Sequence, residues 1–289
     1  KKTSSAFHPS KPRDEPVKPS PKFKKISFYN PKTFKGAQSR EEEDRLAEGT
    51  VNRIALEILN EFETTHARMD HLLKSHMHRN QKLLTAREKA NLSRTVSNII
   101  KWKLRIDYTM SRVLKMNSEE LETTLKNAYR LATWNAAFMH KSAEKAISLS
   151  DFAIPKSFGE HKESVRKFIK VLNKVKKDIP LPNQKKNLLN ALSIIYSHPV
   201  WLIEKWIALY GEEAARKICE FDNTEPPLTI RLNVLKSDPD KLRRNLEQEK
   251  FTIKKTAFAA HGFTVTGKDE IFSTESFKNG EFEIQDESS

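Results

Sequence analysis

From Gly49 to Gly159 the chain contains no glycine. Tight hairpin turns favour residues with positive φ, which glycine adopts at little steric cost, so a stretch this long without one is poorly suited to a β meander. Its apolar residues recur instead at three- and four-residue intervals. Val51, Ile54, Ala55, Ile58 and Phe62 share one helical face, and Met69, Leu72, Leu73 and Met77 form a second set after a break at Thr64 and Thr65. Thr85 followed by Glu88 predicts a capping-box start for a helix carrying Ala90, Leu92, Val96, Ile99 and Ile100. Another helix is predicted from Ser118 through Leu121, Leu125, Tyr129, Leu131, Ala132 and Ala136. A later one carries Val165, Phe168, Ile169, Leu172 and Val175, after a looser stretch around Pro155 and Gly159. These spacings predict a helical bundle over residues 46–180.

Residues 183–222 read as three more helices. In the second, Pro199 stands where a first helical residue tolerates a missing amide, and Gly211 ends the run. Trp201, Trp206 and Tyr210 are assigned to a core because their neighbours are apolar. After Pro226 and Pro227 the period changes to two: Leu228, Ile230, Leu232 and Val234 alternate with Thr229, Arg231 and Asn233, as in a half-buried strand. Ser237 and Asp240 frame a helix start with Pro239 in its first turn, and Leu242, Leu246 and Phe251 lead to a strand at Ile253. Further strands are predicted at Phe263–Val265 and, after the turn pair Asn279 and Gly280, at Phe282–Ile284. The fold class expected is mainly α followed by α+β: a helical bundle, a helical lead-in, and a small RRM-like domain within residues 181–289 whose sheet has one face on a helix and one face free.

Charge suggests the partner. The 289 residues carry a net charge of +14, which favours a polyanion, although a solvated lysine-rich surface gives the same total. Residues 1–40 hold eleven Lys or Arg, two acids and six Pro, a local net of +9. Residues 1–45 are therefore read as a disordered basic arm that either touches phosphates or merely solubilises the chain. No window approaches the roughly 18 apolar residues of a membrane span. The single cysteine, Cys219, excludes an internal disulfide and fits a reducing, cytoplasmic setting.

On the free sheet face, Arg231 and Asn233 offer donors to phosphates and base edges of single-stranded RNA. Lys236, Lys241, Arg243, Arg244, Lys254 and Lys255 supply further phosphate contacts; for Lys241, Arg243 and Arg244 the alternative is the wet face of an amphipathic helix. The aromatic signature of an RNA-recognition motif is absent. No catalytic, cofactor-binding or metal-binding residues are assigned. The chain's seven glycines form no phosphate-cradling cluster. Cys219 lies in a helical run as an inert buried thiol. Of His66, His71, His76 and His78, only His71 and His78 share a helical face, so these are read as surface histidines.

Four ordered blocks carry a resemblance: Ser197-His-Pro-x-Trp-Leu-Ile-Glu-Lys-Trp206; Tyr210-Gly-x-Glu-x-Ala215; Asn223-x-x-Pro-Pro-Leu-Thr-Ile-Arg-x-Asn-x-Leu-Lys236; and Phe277-x-x-Gly-x-Phe-x-Ile-Gln-Asp-Glu-Ser-Ser289. Together they closely resemble the RsmB/NSUN (Sun) family of RNA cytosine-C5 methyltransferases. Residues 46–180 resemble the NusB-like helical domain of its ribosomal-RNA branch, through Ala86-Arg87, Arg105-Ile106-Asp107 and the run from Phe168 to Asn173. The resemblance implies that the α+β domain presents ribosomal RNA to an S-adenosylmethionine-binding domain downstream of Ser289. It also implies that two catalytic cysteines act there; Cys219 matches neither. Carried over are Arg231 and Asn233 in the Arg-x-Asn strand, and Gln285, Asp286 and Glu287 at a domain junction, where they help order the cofactor domain. The chain departs from the NusB pattern at Val96–Trp102, which lacks the usual Gly and Tyr, and at His140–Ala146, where an Asn is common. The expected function is an RNA-binding, substrate-positioning region, inactive by itself. The alternatives are a standalone RNA-binding or assembly factor and a helical protein-interaction module.

Overall fold

The computed structural model describes residues 38–267 and 271–288, and these divide into two compact units between Pro180 and Leu181. Residues 1–37 of the expected basic arm lie outside the described residues, but 38–45 do not belong to an arm. They open the first helix, α1 (Gln38–Thr65).

The first unit is all helical: α1 is followed by α2 (Met69–Arg79), α3 (Ala86–Lys101), α4 (Lys103–Leu114), α5 (Thr123–Thr133), α6 (Ala143–Ala153) and α7 (Gly159–Val175). The predicted capping box is present, with the Thr85 amide donating to Glu88 Oε2 at 2.6 Å and the Glu88 amide donating to Thr85 Oγ1 at 3.3 Å. α1 packs against α3, α5 and α6. The stripe read from the sequence is the core: Ile54, Ile58, Leu92, Val96, Ile99 and Ile169 are fully buried, each worth about 1.5–3 kcal/mol by transfer.

Two helices, α4 and α6, escaped the sequence reading, and a third starts later than predicted. The Glu122 carboxylate accepts from the Thr124 and Leu125 amides at 2.9 and 3.0 Å, so α5 begins at Thr123, and Ser118 sits in a separate 3-10 turn. Past Thr133 the chain widens into a π turn, Trp134–Phe138, where the Met139 amide reaches back to the Trp134 carbonyl at 2.8 Å. Asn135 donates to Asn52 Oδ1 at 2.7 Å and so ties this turn to α1.

The second unit opens with α8 (Leu188–Tyr196) and α9 (Val200–Asp222), packed around Leu192, Ile203 and Cys219. Pro199 is the cap just before α9, and Gly211, with non-helical backbone angles, ends the first of the two helices that run on within α9, as the sequence reading expected. Its φ of +79° and ψ of 164° belong to a region open only to glycine. Trp201 and Tyr210 are 63% and 59% exposed, which corrects their assignment to the core.

The remainder runs β1 (Leu228–Leu232), α10 (Pro239–Gln248), β2 (Thr252–Lys255), β3 (Gly262–Thr266), α11 (Glu275–Lys278) and β4 (Phe282–Ile284). The sheet is antiparallel in the order β2-β3-β1-β4, the ferredoxin-like arrangement. Ile230, Leu232, Ile253, Phe263, Val265 and Phe282 are buried with Leu242 and Leu246 of α10, so one sheet face is sealed by the helix layer. β1 is shorter than predicted. Asn233 Oδ1 accepts from the Leu235 amide at 3.1 Å, an Asx turn that ends the strand and leaves Val234 56% exposed.

Candidate nucleic-acid interface

Register decides what the free face presents. Arg231 stands across from Gly262 on β3 and Glu283 on β4, Thr229 across from Thr264, Lys254 across from Thr264, and Thr252 across from Thr266. With Ile230, Leu232 and Ile253 turned to the core, these residues share the opposite face. Thr229 is buried on that side, and the surface presents Thr252, Thr264 and Thr266, two exposed cations, Arg231 and Lys254, and one exposed acid, Glu283, set directly beside Arg231.

The other candidate residues fall elsewhere. Asn233 does not point outward as a base-edge donor; its Nδ2 donates to the Gly280 carbonyl at 3.0 Å. Lys236 Nζ donates to the Asn279 carbonyl at 2.9 Å, and Lys241 Nζ lies 3.2 Å from the buried Glu281 carboxylate. Burial alone would raise the Glu281 pKa, but Ser276, Lys241 and Asn245 hold it below its ordinary value. All three cation and amide positions thus brace the turn that leads into β4. Arg243 and Arg244 are exposed on α10, in the layer that covers the other sheet face, which favours the wet-helix alternative for them. Lys255 alternates to the core side but is exposed at the end of its strand.

What the sequence reading kept apart, the fold joins. Arg231 Nη1 lies 3.4 Å from Gln285 Oε1, and the Gln285 amide donates to the Thr229 carbonyl at 3.2 Å. Glu287 Oε1 accepts from the Phe258 and Ala259 amides at 2.6 and 3.2 Å. The Phe258 amide, opposed by burial and aided by the Ala259 amide, keeps the Glu287 pKa low. Asp286 accepts from the Ser288 amide at 2.9 Å. The supposed junction residues therefore fold back against the rim of the free face. With Thr229, Arg231 and the loop residues 259–262 they line a depression of about 270 Å³. His261 and Gly262 belong to it and were missed, because nothing local marks a loop between two strands as a wall of a site.

Two further candidates are settled by burial. Cys219 is 1% exposed, and burial, with Asp222 nearby, pushes its thiol up to about 11, so it is no nucleophile at neutral pH. His76 is not a surface histidine: it is 3% exposed, and Nε2 lies 2.8 Å from Glu61 Oε2. Among the described residues no three His, Cys, Asp or Glu side chains converge as metal ligands, and no helix is long and apolar enough to cross a membrane.

Comparison with known proteins adds the context. The NusB family profile matches residues 49–177, and the RsmF/B-like methyltransferase ferredoxin-like domain matches residues 198–271. The probable ribosomal RNA small subunit methyltransferase B of Bacillus subtilis is 29% identical over 83% of this chain and 53% of its own length. A protein of the same description from Synechocystis is 29% identical over 36% of this chain and 25% of its own. The chain thus spans about half the length of the Bacillus relative. The crystal structure of PH0851 is similar in fold, with a TM-score of 0.56 at 20% identity, over 83% of this chain and 53% of that one. The chain is accordingly similar to Sun/RsmB ribosomal RNA methyltransferases and carries a NusB-like domain followed by an RsmF/B-like ferredoxin-like domain.

Proposed function

We propose that this chain is the RNA-binding, substrate-positioning region of an S-adenosylmethionine-dependent methyltransferase acting on cytosine C5 of ribosomal RNA. The observation that carries the reading is Arg231: an exposed guanidinium on a central strand of the uncovered sheet face, beside a shallow depression, in a domain of the RsmF/B-like kind. A rigid sheet with donors and hydroxyls on its open side holds a single strand by its phosphates and sugars while leaving bases accessible.

The methyl donor does not fit the residues described. Such a cofactor is held at a glycine-rich turn between a strand and a helix, usually in a parallel sheet. Here the sheet is wholly antiparallel, and the β1–α10 connection, residues 233–238, contains no glycine. Methyl transfer is therefore assigned to sequence outside this chain, which by itself binds RNA and does not methylate it.

Fluorescence anisotropy with a labelled fragment of small-subunit ribosomal RNA tests the reading. Binding should weaken with salt, and Arg231→Ala and Lys254→Ala should each lower the log–log salt slope by about 0.7 without changing the melting temperature. Failure of the unmodified chain to bind RNA at about 0.1 M salt would reject it.

A further inference from the structure

On the same loop that walls the depression stands an aromatic ring that the fold leaves uncovered. Phe258 is 92% exposed, in a segment otherwise made of small and polar residues. An uncovered ring on a slack loop would mean little, but this loop is fixed at both ends and in the middle. The Thr256 amide donates to the Gly262 carbonyl at 3.0 Å, and the Gly262 amide to the Ala259 carbonyl at 3.2 Å. Thr256 Oγ1 also donates to the Ala259 carbonyl at 3.3 Å. Glu287 accepts from the amide of Phe258 itself. The return is so tight that a Cβ on Gly262 would meet Thr256 Oγ1 at 2.5 Å and the Ala259 Cβ at 2.8 Å. The ring is therefore presented by a stiff support at the cost of exposing about the whole apolar face of a phenylalanine to water.

We infer that Phe258 is a stacking platform for one base of the bound RNA strand, with the sugar-phosphate running from it onto the free sheet face toward Arg231. This rests on the RNA reading above and adds the contact that reading lacks. The surroundings favour a nucleotide over a protein partner. The depression beside the loop offers the hydrogen-bonding groups of Arg231, His261 and Gln285 among small apolar residues such as Ala259 and Ala260, with the Asp286 and Glu287 carboxylates at its edge, and Lys254 and Lys255 precede the loop on β2. An aromatic face flanked by cations is the arrangement that binds single strands with little sequence preference. Phe258 is not part of the aromatic strand signature of RNA-recognition motifs, since it lies on a loop.

The test uses the full chain and a labelled single-stranded oligonucleotide of roughly twelve nucleotides. Phe258→Ala and Phe258→Leu should each weaken binding about tenfold, Phe258→Tyr should bind within about twofold of the unmodified chain, and none should change the salt slope, because stacking releases no counterions. Melting should be unchanged, as the ring packs against nothing. RNA binding that Phe258→Ala leaves within twofold overturns this inference alone. A variant that keeps its RNA affinity but loses self-association in sedimentation gives the ring to a protein contact and also overturns it. Absence of RNA binding by the unmodified chain overturns the functional reading and this inference together.

Discussion

The guanidinium of Arg130 on α5 meets the carboxylate of Asp107 on α4 through two parallel bonds, Nε to Oδ1 at 2.7 Å and Nη2 to Oδ2 at 2.8 Å. Its remaining nitrogen reaches Glu63 of α1 and Asn127 Oδ1, so one side chain, 2% exposed, ties three helices of the NusB-like unit. Removing one partner of such a network leaves the others buried without compensation. Arg130→Ala should cost about 3–5 kcal/mol, read from urea unfolding. Arg130→Lys should rescue little, since an ammonium cannot make the planar two-point contact.

Glu63 gives the same network a pH dependence. Burial would raise its pKa, but Arg130 and Lys126 hold it down to about 2, against an ordinary 4.5. A carboxylate whose folded pKa is depressed contributes stability that is complete above the unfolded value and is lost as pH falls through the folded one. Stability should therefore decline from about pH 4.5 toward pH 2. Glu63→Gln should be less stable at neutral pH and show a flatter decline, as read from the denaturant midpoint at several pH values.

At Gly211 the cost lies in the backbone alone, because a Cβ there meets nothing within 4 Å. Gly211→Ala should destabilise the α8–α9 unit by about 1–3 kcal/mol through its positive φ. A melting temperature equal to that of the unmodified chain would show that the bend relaxes freely.

Glu283 partly cancels Arg231 across the strand pair. Glu283→Gln should tighten RNA binding by about two- to fivefold at low salt, with the gain fading as salt screens it. An unchanged affinity would mean that the strand does not pass over that part of the sheet.

The elements that were legible in the sequence are those whose cause is local. The Thr85–Glu88 capping box lies within one turn, and the alternation of Ile230, Arg231 and Leu232 needs only the pleat of a strand. The errors arose where the deciding partner is distant. Alternation was carried through Asn233, whose side chain is claimed by Gly280, 47 residues on. His76 looked like a surface residue because its partner Glu61 belongs to another helix. Apolar periodicity marks Trp201 and Tyr210 as one helix's bulky residues but cannot say which face finds a partner. At the site, Arg231 was found by its alternation, whereas Glu287 meets the loop that carries Phe258 and His261 only because β3 and β4 flank β1.

The central claim is that RNA lies on the uncovered sheet face and not on the helix layer, and crosslinking reads this directly. A photoreactive maleimide can be attached at Lys254→Cys on the open face or Arg243→Cys on α10. Cys219, buried with its thiol raised to about 11, should stay unlabelled. Illumination in the presence of the ribosomal RNA fragment should crosslink the label at position 254 and leave the one at position 243 unreacted. Crosslinking from position 243 with none from position 254 would contradict the account.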